Sequence, residues 1–250
     1  PPQLPRTASS SSSEGYKGHG GELANRARAL LAVVASVRAA VGPDFPVAVK
    51  LNSADFQKGG FAFEESLQVA QWLQEASIDL IEISGGTYEQ PKLLGLSGME
   101  EEEKQNVAES TLMREAYFVD FAVAMGEKVN VPLMVTGGFR QRAAMEQALQ
   151  SGSADVIGLG RPMCVMTDAP NQLINGLDEL PRYEDSLSLF PKWLAWLGNL
   201  KILKAVAGFA VQYWYYGQID AIGRTGSANS KLTVFQATKQ TMALQKELTR

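Results

Sequence analysis

Two glycine-rich segments carry residues that could bind a phosphate group. Residues 136–140 read Thr-Gly-Gly-Phe-Arg, residues 158–162 read Gly-Leu-Gly-Arg-Pro, and each segment includes or follows the end of a short apolar run. Glycine lets a phosphate approach the backbone N–H groups without an intervening Cβ, and arginine adds a planar set of donors. The alternative is that these glycines only turn the chain. We favour phosphate binding, with Gly137, Gly138, Gly160 and Arg161 as the predicted ligands.

A lysine and a glutamate lie within apolar runs that are typical of buried strands. Lys50 closes the run 45–51, so its charge either reaches solvent or faces an anionic ligand. Glu82 lies between two isoleucines, and a carboxylate in a barrel interior needs a partner. Lys50 on the preceding strand is the candidate partner. We favour a structural ion pair over general-base catalysis for Glu82.

The composition excludes several other kinds of site. The chain has 250 residues with one histidine, His19, and one cysteine, Cys164. A Cys/His zinc site and a disulfide within the chain are therefore excluded, and a Ser-His-Asp triad would depend on His19 beside a serine run. We interpret Cys164 as a packing residue and the acidic run 100–103 as a solvated loop, so no metal ion is predicted. The net charge of −4 provides no electrostatic surface for nucleic acid.

The elements that would position these residues alternate along the chain. Short apolar runs near 45–51, 79–84, 132–136 and 155–160 are typical of strands, and they alternate with the helices predicted at 23–41, 63–76, 111–129 and 142–150. Such alternation predicts an α/β fold with parallel strands. Residues 45–50 also resemble 131–136, and residues 77–84 resemble 153–160. Two copies of a β-α-β unit are expected in a (β/α)₈ TIM barrel, whose active sites lie at the carboxyl ends of the strands.

The pattern covers only part of a closed barrel. We predict a disordered low-complexity leader at 1–20, a partial barrel carrying the phosphate side of the site at 21–180 and a helical extension at 181–250. Four strands are predicted where a closed barrel needs eight. The sequence therefore looks like the second half of a barrel followed by an aromatic C-terminal helix. Its two unpaired sheet edges predict self-association.

The sequence shows no signal for secretion or for a membrane span. Residues 1–20 contain no apolar core of a signal peptide. The apolar stretch 194–216 is interrupted by Asn199, Lys201 and Lys204, and a charge in mid-bilayer is costly. We interpret this stretch as part of a soluble helix and expect the protein to be cytoplasmic.

Taken together, the motifs resemble the old yellow enzyme family of FMN-dependent NADH:flavin oxidoreductases. The likeness extends over about residues 20 to 240 and is carried by an ordered set of segments. These read GGELANRAR at 20–28, VAVKLNSADF at 47–56, ISGGTYE at 83–89, REAYF at 114–118, TGGFR at 136–140 and GLGRP at 158–162. As an ordered set they are far more specific than any one of them.

The resemblance implies a cofactor and a reaction. Family members bind FMN at the top of a (β/α)₈ barrel, where it takes a hydride from NAD(P)H and passes it to an electron-poor alkene such as an enone. Lys50 matches the basic residue that faces the flavin near N1 and C2=O, where negative charge develops on reduction. Gly137, Gly138, Gly160 and Arg161 match the family's phosphate-binding strand ends.

The departures from the family pattern leave the catalytic residues unknown. Family members carry a His-x-x-His or His-x-x-Asn pair and usually a tyrosine proton donor, all upstream of the motif that begins at Gly20. This chain has neither the pair nor a safe substitute for the tyrosine, so activity of the chain alone is in doubt. Two alternatives stay open. One is a truncated, non-catalytic fragment or interaction module, and the other is a different phosphate-binding barrel enzyme, such as an aldolase using Lys50.

Overall fold

A computed structural model describes residues 20–54, 60–84, 121–189 and 201–248. Its centre is a sheet of four parallel strands in the order β1-β2-β3-β4. The strands are β1 (Ala48–Asn52), β2 (Leu80–Ser84), β3 (Leu133–Thr136) and β4 (Val156–Gly158). The predicted α/β fold with four parallel strands is confirmed, and each strand lies within the predicted run to within a few residues.

Helices connect the strands as predicted. They are α1 (Leu23–Val41), α2 (Phe63–Glu75), the described part of α3 at 121–126, and α4 (Arg142–Gln150). The predicted leader up to residue 19, the acidic run 100–103 and the start of the helix predicted at 111–129 lie outside the described residues. Residues 85–120, which include the rest of the motif that begins at Ile83, lie outside them too.

The two faces of the sheet differ in chemistry because side chains alternate between faces along each strand. The face against the helices is apolar and buried, and it is formed by Val49, Leu51, Ile81, Ile83, Leu133 and Val135. The register places Lys50, Glu82, Met134 and Val156 in one row across the opposite face. The next row toward the carboxyl ends contains Asn52, Ser84, Thr136 and Gly158. Polar chemistry therefore concentrates on one face, near the ends predicted to carry function.

The internal repeat is visible as a repeated contact at the amino end of the sheet. Asp79 Oδ2 accepts a hydrogen bond from the backbone amide of Val47 at 2.7 Å. Asp155 Oδ2 accepts one from the amide of Leu133 at 2.8 Å. The amide of each aspartate in turn donates to the carbonyl of the same partner. The two β-α-β units thus share the same pair of aspartate hydrogen bonds as well as a sequence pattern.

Helix α1 corrects one detail of the predicted apolar face. The three- and four-residue spacing of apolar residues from Leu23 onward predicts a buried face that includes Val37 and Val41, but these side chains are 39% and 40% exposed. The covered face contains Arg38 instead, which donates to the carbonyls of Phe45 and Ser77 and pairs with Asp79. The long Arg38 side chain, which donates to carbonyls of the neighbouring loops, therefore lies on the covered face where the pattern predicts valine.

The segment after β4 is more helical than predicted. The sequence indicated a loop and one aromatic helix, but the chain forms a 3-10 turn at Arg161–Cys164, helix α5 (Ala169–Ile174) and a 3-10 turn at Tyr183–Asp185. Pro162 and Pro170 are the second residues of the first two elements and favour them, because proline fixes φ at a helical value. Sequence patterns of apolar residues do not detect such short elements.

A helical hairpin follows, formed by α6 (Lys201–Thr225) and α7 (Val234–Leu248). Trp214 and Tyr215 are buried in a second hydrophobic cluster, together with Leu232 and Val234 of the hairpin, whereas Tyr216 is 48% exposed. Trp214 and Tyr215 are thus core residues, while Trp193 and Trp196 lie outside the described residues. No helix in the described part of the chain combines the length and the apolar character needed to cross a bilayer.

Candidate phosphate site

The two predicted phosphate-binding turns lie side by side. Thr136 pairs with Gly158 in the register of β3 and β4, so the turn containing Gly137 and Gly138 and the turn containing Gly160 begin at adjacent strand ends. Gly138 has a φ of +75°, a conformation that residues with a Cβ rarely adopt. The sequence pattern therefore brings the predicted glycines to one edge of the sheet.

The amides of Gly138 and Gly160 have no acceptor among the described residues. The Gly160 carbonyl, by contrast, accepts from the amide of Met163 and opens the 3-10 turn that begins at Arg161. An N–H group without a protein acceptor is what an anion site requires.

Arg161 contributes the charge at this edge. Its Nη1 lies 2.8 Å from Oε1 of Glu184, and its side chain is 50% exposed. The guanidinium is thus held at one nitrogen while the group as a whole reaches the surface. The assignment of Gly137, Gly138, Gly160 and Arg161 as phosphate ligands stays a prediction.

Glu184 is the centre of a small network that the sequence did not reveal. Its Oε1 also accepts a hydrogen bond from Nη2 of Arg140 at 3.0 Å, and its Oε2 accepts one from the Tyr215 hydroxyl at 2.8 Å. Burial raises the pKa of Glu184, but the two guanidinium groups and the tyrosine hydroxyl hold it below its usual 4.5. The carboxylate is therefore charged at neutral pH. Its partners lie 44, 23 and 31 residues away, so no local spacing signals the network.

Lys50 and Glu82 form the ion pair that the sequence predicted. The Lys50 ammonium donates to Glu82 Oε1 at 2.7 Å, with the lysine side chain 55% exposed and the glutamate 22% exposed. Burial raises the pKa of Glu82, but the hydrogen bond from Lys50 and the nearby Thr136 hydroxyl keep it below its usual value. That hydroxyl is buried and has no partner at full hydrogen-bond geometry among the described residues. The assignment of Lys50 as a flavin contact stays a prediction.

Cys164 lies one turn beyond Gly160 and packs against the second cluster. Its Sγ is 3.8 Å from the Gly160 carbonyl oxygen. Burial raises the pKa of the thiol, which disfavours the thiolate form that a nucleophile needs. The interpretation of Cys164 as a packing residue is consistent with these contacts.

Comparison with known proteins finds relatives among the flavin oxidoreductases. The chain is 33% identical to the NADH-dependent flavin oxidoreductase iccE of Talaromyces variabilis over 83% of its length, and it covers 49% of that protein. It is 28% identical to an NADH oxidase of Thermoanaerobacter brockii over 63% of its length, covering 22% of that protein. The chain thus spans about half, or less, of the length of these relatives.

A solved structure shows the same architecture. The complex of 2-naphthoyl-CoA reductase with 2-naphthoyl-CoA matches 64% of this chain with a TM-score of 0.53 and 27% identity, over 22% of that chain. The family model described as NADH:flavin oxidoreductase / NADH oxidase matches residues 15–179. That range contains the whole four-stranded sheet and both glycine turns. On these grounds the chain belongs to the NADH:flavin oxidoreductase / NADH oxidase family, and the resemblance that its motifs carry is confirmed.

Proposed function

We propose that this chain binds FMN by its phosphate at the paired turns after β3 and β4 and serves an NAD(P)H-dependent reduction of a small electron-poor alkene. The observation that carries the proposal is that two glycine amides, which have no acceptor within the described part of the chain, lie at adjacent strand ends beside a half-exposed guanidinium. Family membership identifies the cofactor class. Because the chain covers about half of its relatives, the complete reaction requires residues from outside the described site.

The donor set fits a phosphate dianion. Gly138 has a φ of +75°, which favours glycine, and a Cβ at Gly160 would meet no atom within 4 Å, so there is space around Gly160. The ion pair to Glu184 uses Nη1 of Arg161, which leaves other N–H groups of the planar guanidinium for phosphate oxygens. Backbone amides would fix the position of the phosphate, and the arginine would supply the charge.

Lys50 would act on the other end of the cofactor. FMN, when bound, supplies hydride transfer from NAD(P)H to the substrate. The row on the open sheet face places Lys50 one strand away from Glu82. The glutamate holds the ammonium on that face, and a fixed cation there would favour negative charge on a flavin ring. No proton donor is assigned among the described residues.

A flavin titration tests the proposal. The purified full chain, as isolated and after addition of FMN, is measured by absorbance in the blue and by quenching of free flavin fluorescence. Riboflavin, which lacks the phosphate, is the matched control ligand. We expect FMN to bind more tightly than riboflavin, because only FMN reaches the paired turns.

Two results would overturn the proposal. A colourless protein that takes up no added FMN would favour the non-catalytic alternative. Equal affinity for FMN and riboflavin would show that the paired turns do not hold the phosphate. Borohydride trapping of a carbonyl substrate at Lys50 would instead favour the aldolase.

A further inference from the structure

We propose that Glu184 is a positioning residue for the phosphate-binding arginine, and that Tyr215 joins the C-terminal hairpin to this site through Glu184. This inference rests on the proposed FMN site and adds the residues that prepare it. The three turns that meet here contain Arg140, Arg161 and Glu184 and are distant from one another in sequence. The network therefore makes the hairpin α6–α7 part of the cofactor site.

The first step is that one carboxylate oxygen serves two arginines. Glu184 Oε1 lies 3.0 Å from Nη2 of Arg140 and 2.8 Å from Nη1 of Arg161. Arg140 is only 4% exposed and also donates to the carbonyl of Phe139. A buried guanidinium requires a counter-ion, so Arg140 keeps Glu184 in place whether or not Arg161 binds a ligand.

The second step is that the Arg161 side chain has high conformational freedom unless a partner fixes its guanidinium. A half-exposed arginine has many rotamers, and binding a phosphate would have to order them. The ion pair at Nη1 orders the guanidinium in advance and leaves its other donors open. Glu184 therefore lowers the entropic cost of phosphate binding instead of competing for the arginine.

The third step is the link to the hairpin. The Tyr215 hydroxyl donates to Glu184 Oε2 at 2.8 Å, and its ring lies 5.2 Å from that of Trp214 in an edge-to-face contact. Trp214 in turn donates to the carbonyl of Leu232 at 2.7 Å, which ties α6 to the segment before α7. Displacement of the hairpin would thus remove the hydrogen bond that orients the Glu184 carboxylate toward Arg161.

A double-mutant cycle on the full chain tests the inference. FMN and riboflavin affinities are measured for the unmodified protein, Glu184→Gln, Arg161→Ala and the double variant. We expect Glu184→Gln to weaken FMN binding about tenfold, in the range of coupled neighbouring residues. Riboflavin affinity is expected to stay the same, and Glu184→Gln is expected to have no effect on FMN when Arg161 is already alanine.

Glu184→Gln leaves Arg140 without its full counter-ion and could therefore misfold. A second pair of variants tests the inference without changing any charge. Tyr215→Phe keeps every charge and removes only the hydroxyl that orients Glu184. We expect a loss of about threefold in FMN affinity, the size of one net hydrogen bond, with none for riboflavin. Tyr213→Phe, on the same helix but outside the network, is the matched control and should leave both affinities unchanged.

The outcomes separate the inference from the proposed function. Failure of the unmodified chain to bind FMN overturns both. Normal FMN binding that Arg161→Ala weakens, but that Glu184→Gln and Tyr215→Phe leave unchanged, overturns only the positioning role. Tighter FMN binding by Glu184→Gln would show competition for the arginine and would also overturn it. Equal losses for FMN and riboflavin would indicate a purely structural effect.

Discussion

Thr136 and Gly158 face each other across the β3–β4 pair so closely that the glycine position has no room for a side chain. A Cβ built on Gly158 would lie 1.8 Å from the Thr136 hydroxyl oxygen and 2.7 Å from the Thr136 Cβ. The same Cβ would meet the terminal methyl of Met134 at 2.8 Å. Glycine is therefore required here because the Thr136 side chain approaches closely on the sheet face that carries Lys50 and Glu82. The position lies just before the turn that carries Gly160 and Arg161.

We expect Gly158→Ala to destabilise the chain by about 1–3 kcal/mol, the usual cost of forcing extra atoms into a packed site. Denaturant unfolding followed by circular dichroism measures this. The matched control is Gly223→Ala in α6, where a Cβ would meet nothing within 4 Å. That variant should gain about 0.5–1 kcal/mol, because alanine favours a helix over glycine. Equal stability of the two variants would contradict the close approach.

Arg161→Ala should weaken FMN binding by about 1.5–3 kcal/mol, the contribution of a hydrogen bond to a charged group. In a titration this corresponds to roughly a 10- to 150-fold higher Kd. Arg224→Ala is the control, since Arg224 is an exposed arginine in α6 that pairs only with Asp220 in the described structure. An unchanged Kd for Arg161→Ala would refute the assigned role.

The Lys50–Glu82 pair should contribute a small, pH-dependent stability. The pKa of Glu82 is lower in the folded chain than its ordinary 4.5. The contribution is therefore fully present above that value and is lost as the pH falls through the lowered pKa. Because Lys50 is 55% exposed, we expect Glu82→Gln to cost less than about 1 kcal/mol at pH 7.

Urea unfolding of Glu82→Gln and the unmodified chain over a pH series measures this difference. The difference should shrink toward zero under acid conditions. Glu146→Gln, which removes an exposed i,i+4 partner of Arg142, controls for charge removal at the surface. A difference that grows as the pH falls would contradict the assigned direction of the Glu82 pKa.

Local pattern was sufficient to predict the elements of the sheet. Helix α4 begins and ends where the sequence placed it, at Arg142 and Gln150, and β2 ends at Ser84 as predicted. These elements are fixed by apolar periodicity and by the turns around them, both of which are local. The adjacency of the two glycine turns followed from parallel pairing, because strand ends of one repeat meet at one edge.

Contacts between distant segments were beyond that reasoning. Glu184 stands in a short 3-10 turn with no periodic signal, and its partners come from the turn after β3, the 3-10 turn after β4 and helix α6. Arg38 lies on the covered face of α1, where it donates to the carbonyls of Phe45 and Ser77, whereas Val37 is 39% exposed. Both are polar residues whose role depends on three-dimensional neighbours, which a single sequence does not display.

The outer strands of the sheet lead to the prediction of self-association. Within the described residues β1 and β4 each pair with another strand on one side only. Val156 of β4 lies on the same sheet face as Lys50 and Glu82 and is 41% exposed. Unpaired strand edges beside apolar side chains favour pairing with another chain. We therefore expect a second copy of the chain to associate at the unpaired edge of β4, beside Val156.

Light scattering on a concentration series should show a mass above that of one chain. Val156→Lys should weaken the association by about 1–3 kcal/mol, because the charge would lose its hydration at the interface. Leu149→Lys changes a residue of similar exposure, 44%, on α4 and should leave the mass unchanged. A well-behaved monomer at high concentration would show that the edges are covered within the chain itself. An equal effect of both variants would show that association uses another surface, because α4 lies on the opposite side of the sheet from Val156.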